Sequence, residues 1–479
     1  MRRINGPLCE KRLALFPYNS WKCVAIPECA SMGIWFQVMN LLVNGRCIAI
    51  LYVHRFKRQR VCDTRRTAES GDFKVSKRFA QSIGLTRPVL ALSVARMADA
   101  MGNSILFIIL PLYVAKIPTE HLHFPLPVLV GILLSLYGIV NSVLQPFMGA
   151  LSDRLGRRKF LILLGLGLMC AGTIGFIPAS NFLELVFLRM VQGVGVAMTI
   201  PASLAIMAAV TERKTRGGAM GIYSTMRVIG FTLGPLVGGF LKVTWGFNTA
   251  FSVGAGFIAA AIVLVHFWVD EVKVPPKSSQ ARPFKILDRE LMHPGIVSAA
   301  AATFIMAIAF SMVTTLENEF NARLDISALG FSIAFSSLMA GRVLCQVPLG
   351  RLSDSVGRRP IIILSLLFMA PVTGLLGEVT TLWQFILLRV LQGIATAGIA
   401  APAFAVAADL AQVGGEGRQM SFITLGFGLG LALGPMIAGA LAIVFFDLPF
   451  LTGGVMAVAG AWIVHRHMPE TAQEGRNTD

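Results

Sequence analysis

From Val89 onward the chain alternates apolar runs of about 20 residues with short polar breaks, the length a helix needs to cross a bilayer. The pattern predicts helices near 90–115, 126–150, 160–179, 182–210, 218–241 and 249–269, then 294–317, 326–350, 361–378, 381–409, 420–442 and 446–466. The runs are continuous rather than alternating as in barrel strands, so helices are the spanning structure. A polar stretch with Pro275, Pro276, Ser278 and Ser279 separates six spans from six. The expected fold class is an all-α membrane protein of 12 transmembrane helices in two six-helix halves, 89–269 and 294–466, joined by a cytoplasmic linker at 270–293 and followed by a tail at 467–479.

Composition agrees with that class. Of 479 residues 55% are hydrophobic and 14% charged, and the mean hydropathy is +0.70, too apolar for a soluble domain. The net charge of +17 is uneven: residues 1–88 hold sixteen Lys/Arg against five Asp/Glu, so a nucleic-acid role is not implied and no nucleic-acid partner is expected. Residues 1–88 read as a weakly structured basic leader or an over-extended start of translation. The apolar stretch Ile34 to Val53 competes as an extra span, but Gln37, Asn40, Asn44 and Arg46 interrupt it. Five of the seven cysteines lie in this leader without metal-ligand spacing, and the seven histidines are scattered. Neither a metal site nor a cofactor is expected.

A charged turn occurs twice. Gly149 to Lys159 reads G-A-L-S-D-R-L-G-R-R-K, and Gly350 to Pro360 reads G-R-L-S-D-S-V-G-R-R-P, 201 positions later. Gly149 and Gly350 would let another backbone come close. Asp153 and Asp354 are suited to accept hydrogen bonds from the N-terminus of a neighbouring helix, and the paired arginines favour the cytoplasmic side. A solvated basic turn that only fixes topology is the bland alternative, weakened by the second copy. The repeat continues: Arg189, Gln192, Gly193 and Pro201 in the fourth span match Arg389, Gln392, Gly393 and Pro402 in the tenth. Basic residues concentrate in alternate loops, which puts these loops and both termini in the cytoplasm.

These motifs resemble those of the major facilitator superfamily. The loop signature G-x-L-[AS]-D-R-x-G-R-R is met by Gly149, Leu151, Ser152, Asp153, Arg154, Gly156, Arg157 and Arg158, and its echo by Gly350, Leu352, Asp354, Gly357, Arg358 and Arg359. Gly230, Gly234, Pro235, Gly238 and Gly239 form G-x-x-x-G-P-x-x-G-G, similar to the motif of the proton-driven drug antiporters. Ordinary small-residue packing is the competing reading, and the eleventh span repeats the motif with Ala438 in place of one glycine. The resemblance implies a multi-pass cell-membrane protein that moves small molecules by alternating access, with protons and membrane lipids as its other partners.

Charges inside hydrocarbon cost roughly 2.5–3.5 kcal/mol on insertion scales and need a partner or a task. Asp99 lies about 15 Å into the first span at 1.5 Å per residue, near mid-depth. It is the candidate proton-coupling acid, with Arg189 as its counterpart across the cavity. Because Arg96 is three residues earlier on the same face, a fixed structural Arg96–Asp99 pair remains the alternative. Asn103, Tyr137, Asn141, Gln192 and Gln392 are the expected polar lining of a substrate cavity. Glu317 and Glu319 are read as interface residues.

The function these features support is proton-coupled export of small amphipathic organic compounds or drugs. Proton-coupled uptake of a sugar or organic acid, and a non-transporting receptor on the same fold, are the alternatives. No G-x-x-x-x-G-K-[ST] phosphate loop supports an ATP-driven pump, and no paired acid and base or H-E-x-x-H supports a membrane enzyme. Topology is directly testable: reporter fusions at Asn181 and Glu378 are expected to read as outside, and a cytoplasmic signal at both would overturn the orientation.

Overall fold

The computed structural model describes residues 86–118, 123–211, 215–271, 293–410 and 416–471. The leader up to residue 85, linker residues 272–292 and the tail from 472 lie outside the described residues. In chain order the helices are α1 (Arg87–Val114), α2 (Leu126–Leu155), α3 (Arg158–Gly175), α4 (Phe182–Val210), α5 (Arg216–Trp245) and α6 (Phe247–Trp268), then α7 (Pro294–Thr315), α8 (Glu317–Leu324), α9 (Ala328–Val356), α10 (Arg358–Gly374), α11 (Leu382–Asp409), α12 (Glu416–Ala442) and α13 (Leu448–His467). Eleven of them are long and apolar enough to cross a membrane. The twelfth expected span is α10, which at 17 residues holds the place in the second half that α3 holds in the first.

Local chemistry accounts for the helix ends. Asn181 accepts from the Glu184 N–H while Glu184 accepts from the Ser180 N–H, a reciprocal cap that starts α4. Thr381 and Gln384 repeat it at the start of α11. Two expectations shift. The seventh span ends at Thr315 and the chain turns into a separate short helix, α8. The charged turns are also mostly helical, since α2 and α9 continue to Leu155 and Val356. The L-S-D segments are helix-compatible, and the stop comes only where Gly156 (φ 62) and Gly357 (φ 120) take backbone angles that side chains resist.

The packing follows the sequence repeat. In the first half α5 and α6 flank α1, α4 packs on α2 and α3, and α3 packs on α6; in the second, α12 and α13 flank α7, α11 packs on α9 and α10, and α10 packs on α13. The most apolar windows of α1 and α7 are each 83% buried, against 33–67% for the other spans, so these two are the inner helices. The halves meet through α2 with α12 and α5 with α9.

Glycines bring these helices together. Gly230, Gly234 and Gly238 face α1, where a Cβ on Gly234 would stand 2.7 Å from the Met101 carbonyl; Gly426, Gly430 and Gly434 face α7 in the same manner. The close approach is seen in hydrogen bonds as well: the Ser104 hydroxyl reaches the Gly230 carbonyl at 3.3 Å, and Ser311 reaches that of Gly430 at 3.5 Å. The fifth glycine points elsewhere. Gly239 lies against Ala328 and Ser332 of α9, and Gly439 against Pro127 of α2, both across the seam between halves. Gly131 opposite Pro435 and Gly138 opposite Ala432 extend that contact, and Ser336 donates to the Thr232 carbonyl at 2.8 Å.

All of these seam contacts lie in the end of the bundle remote from the charged turns. At the turn end, a Cβ on Gly149 would meet only the Pro201 side chain, at 3.6 Å, and one on Gly350 only Ala401, at 3.7 Å, among the described residues. The close backbone approach expected of these two glycines is thus not made, because in this conformation the halves touch at the opposite end. An added methyl at the seam should oppose the contact by about 1–3 kcal/mol. Gly239→Ala and Gly439→Ala are expected to lengthen the spin-label distance between positions 124 and 444 at that end, whereas Gly167→Ala, with nothing within 4 Å, should leave it unchanged.

Candidate functional site

The inner helix α1 presents its polar residues to α2 and α5. Asp99 is 3% exposed and accepts from Arg96 on the same helix. Its second oxygen, Oδ1, has no hydrogen-bond partner among the described residues. The Arg96 guanidinium lies 5.9 Å above the ring of Tyr223 on α5. One turn further along α1, Asn103 donates to the hydroxyl of Tyr137 on α2. The Tyr137 ring in turn carries the Arg189 guanidinium of α4 at 5.2 Å, so Asp99, Arg96, Asn103, Tyr137 and Arg189 form one polar belt.

A cavity of about 20 Å³ touches Arg96 and Asp99 and is also lined by Thr199, Ser203 and Tyr223. That is room for one water with polar partners. The structure therefore contains the Arg96–Asp99 pair and also a hydratable space beside the acid.

Arg189 is fully buried and donates to the Gln192 side chain at 3.1 Å; Gln192 then donates to Thr173 at 2.9 Å. The second half repeats this triad with Arg389, Gln392 and Thr373, at 2.6 and 3.3 Å, and Gln392 also donates to the Ala309 carbonyl. Both glutamines are thus engaged inside their own halves, at 1% and 0% exposure. Each arginine still has Nε and Nη2 without a hydrogen-bond partner among the described residues. Asn141 on α2 is half-buried, with no hydrogen-bond partner for its Oδ1 among the described residues. The threonines of the triads had no motif of their own, and only their spacing of 200 residues hints at them.

At the turns, the Asp153 side chain lies outside the described residues. Asp354 does not cap a neighbouring helix; it is exposed and pairs with Arg358 at 3.4 Å. The helix N-termini are instead capped by glutamates placed after the last helix of each half. Glu470 accepts from the backbone N–H groups of Arg358 and Arg359 at 2.9 and 3.2 Å, and Glu271 accepts from that of Lys159 at 3.1 Å. An acid with two carboxylate oxygens just beyond a helix start suits the positive end of the dipole better than one held inside the preceding helix. Arg358 also forms a two-pronged ion pair with Asp409, at 2.5 and 3.3 Å, while Arg158 donates to the Ala205 carbonyl. Arg154 and Arg157 are exposed.

The family model described as Major Facilitator Superfamily matches residues 92–323 and again 297–478. The chain belongs to this superfamily. It is 28% identical over 326 residues to the multi-drug resistance efflux pump PmrA of Streptococcus pneumoniae serotype 4, covering 65% of this chain and 79% of that one. It is 28% identical over 383 residues to the multidrug resistance protein MdtG of Klebsiella pneumoniae, covering 77% and 91%. Among solved structures, a bacterial homolog of the human lysosomal transporter Spinster, inward-facing and occupied, superposes with a TM-score of 0.66 at 17% identity over 79% of this chain and 96% of that one. The human organic anion transporter MFSD10 (TETRAN) gives 0.61 at 19% identity, over 79% and 99%. These two share the fold. The protein is accordingly a multi-pass membrane transporter of small molecules rather than an enzyme.

Within this superfamily fold, the α7–α8 junction holds a residue that the sequence alone reads as an interface group. Glu317 is fully buried and neither carboxylate oxygen has a hydrogen-bond partner among the described residues. The neighbouring Asn318 donates to the Pro111 carbonyl of α1 at 2.8 Å, linking the halves. Burial pushes the Glu317 carboxyl well above its usual range, with Lys242 opposing and Glu319 adding to the rise. A carboxyl whose folded-state pKa is raised binds more protons folded than unfolded, so its contribution is whole below the ordinary glutamate value of about 4.3 and is lost as pH rises past it. Glu317→Gln is expected to remove that loss, raising the melting temperature in alkaline detergent solution by roughly 2–4 °C with little change in acid; an unchanged alkaline melt would refute the assignment.

Proposed function

We propose that this transporter exports small amphipathic organic compounds across the cell membrane in exchange for protons, by alternating access between its two halves. The observation that carries the reading is Asp99: a carboxyl group buried in the innermost helix, with one oxygen unpartnered, beside a space that takes one water. An acid so placed can take up and release a proton without a soluble partner reaching it. The antiporter-like glycines of α5 pack on the same helix, so freeing Arg96 by protonating Asp99 would act on the α1–α5 contact directly. The efflux relatives are the second support, and a seam closed at one end only is the geometry that alternating access requires.

In this reading the halves are 89–269 and 294–466, the 270–293 linker and both termini are cytoplasmic, and the closed seam is extracellular. Arg189 and Asn141 face the transport path, with Asn103 and Tyr137 relaying between Asp99 and Arg189. The turns at Asp153 and Arg358 act as conformational latches at the cytoplasmic end. Asp99→Asn mimics the protonated acid and is expected to abolish efflux driven by a pH gradient in proteoliposomes while downhill exchange persists. If Asp99 serves only to hold Arg96, the single variant strands a buried arginine and lowers the folded yield. Arg96→Gln combined with Asp99→Asn then restores both yield and gradient-driven transport, and that recovery would overturn the coupling role.

A further inference from the structure

Among the Asp, Glu, Lys and Arg of the described helices, those six or more residues from both helix ends are Arg96, Asp99, Arg189, Arg227, Arg342 and Arg389. Five are cations and one is an acid. Arg96 engages Asp99, and Arg189 and Arg389 donate to glutamine carbonyls. Arg227 and Arg342 are left: both are half-buried, and neither has a hydrogen bond or ion pair to a described residue.

Their positions are informative. Arg227 is on α5 and Arg342 on α9, the antiparallel pair that joins the halves through the Ser336–Thr232 hydrogen bond. From that bond toward the turn end, Arg227 is five residues on and Arg342 six, about 7.5 and 9 Å along their helices. They therefore stand at one depth, one from each half. Arg227 interacts electrostatically with Arg342 across the α5–α9 contact and with Arg96, Asp99 and Tyr137 of its own half. Its guanidinium sits 5.5 Å from the centroid of the Phe231 ring.

Two like charges at one depth in a weakly polarisable interior repel each other, and planar guanidinium groups are suited to bidentate recognition of carboxylate, sulfonate or phosphate. The geometry points to Arg227 and Arg342 as a binding site for the negatively charged group of an amphipathic organic anion, held by one guanidinium from each half. A bound anion neutralises the repulsion and lets the halves approach at the turn end, so occupancy itself favours closure there. The substrate assignment rests on the transporter function proposed above, whereas binding is measurable without transport.

The test uses the purified full chain in detergent and two fluorescent probes with the same xanthene ring system, anionic carboxyfluorescein and a cationic rhodamine methyl ester, followed by fluorescence anisotropy. Carboxyfluorescein is expected to bind more tightly than the rhodamine. Arg227→Gln and Arg342→Gln should each weaken it by about 10- to 100-fold, whereas Arg227→Lys and Arg342→Lys should stay much closer to the unmodified protein. The glutamine variants remove an unpaired buried charge and should fold at least as well. Added phosphatidylglycerol should not displace the dye. Tighter rhodamine binding, unchanged affinity in both glutamine variants, or displacement by the anionic lipid would each overturn the site. If carboxyfluorescein binds as expected but a pH gradient drives no flux in vesicles, the coupled-export reading fails and the site stands; gradient-driven rhodamine efflux without carboxyfluorescein binding gives the reverse.

Discussion

Between helices in a bilayer, apolar burial supplies little drive, because lipid tails solvate leucine as well as a neighbouring helix does; association depends on how closely backbones can approach. Here that distance is set by missing side chains. Gly234 and Gly434 bring α5 and α12 against the carbonyls and serine hydroxyls of the inner helices, and Gly239 and Gly439 bring the same two helices against the opposite half. One glycine pattern thus builds each half and also closes the seam between them. The rest of the architecture hangs on this double use: a helix that is tight on its own inner partner transmits any shift of that partner to the seam.

The polar interior is costly, and its cost is distributed unevenly. The Arg-Gln-Thr triads occur in both halves with matched partners, which marks them as part of the shared scaffold. Asp99 and its neighbours have no such echo: Ser104 and Ser311 make the same hydrogen bond in the two halves, and with that register the position of Asp99 is taken by Met306. Chemistry added to one half only is where function departs from scaffold. The same holds for Arg227, whose place 200 residues on is Phe427, a residue packed against the core of the second half.

The charged turns show how each half is closed at its far end. Glu271 and Glu470 reach back from beyond the last helix to cap the helix that follows each turn, and Lys159 and Arg359 donate to the carbonyls of His266 and His465 in that last helix. Among the described residues, these contacts tie the third and the last spanning helix of each half to each other.

Sequence alone settled the class, the number of spans within one borderline helix, the repeat at 200 to 201 residues and the glycine-rich faces of α5 and α12. These are local properties: a hydrophobic run of a given length, a turn residue or a spacing of four along a helix has its meaning before any partner is chosen. What tertiary structure decided concerns pairs from distant segments. The capping role expected of Asp354 went to Glu470, Gln192 and Gln392 were drawn into clamps, Glu317 moved from an interface reading to full burial, and Arg227 came to one depth with Arg342. None of these follows from a linear pattern, because the register at which two helices cross depends on where each glycine along both of them permits contact, and that is a property of the whole packed bundle.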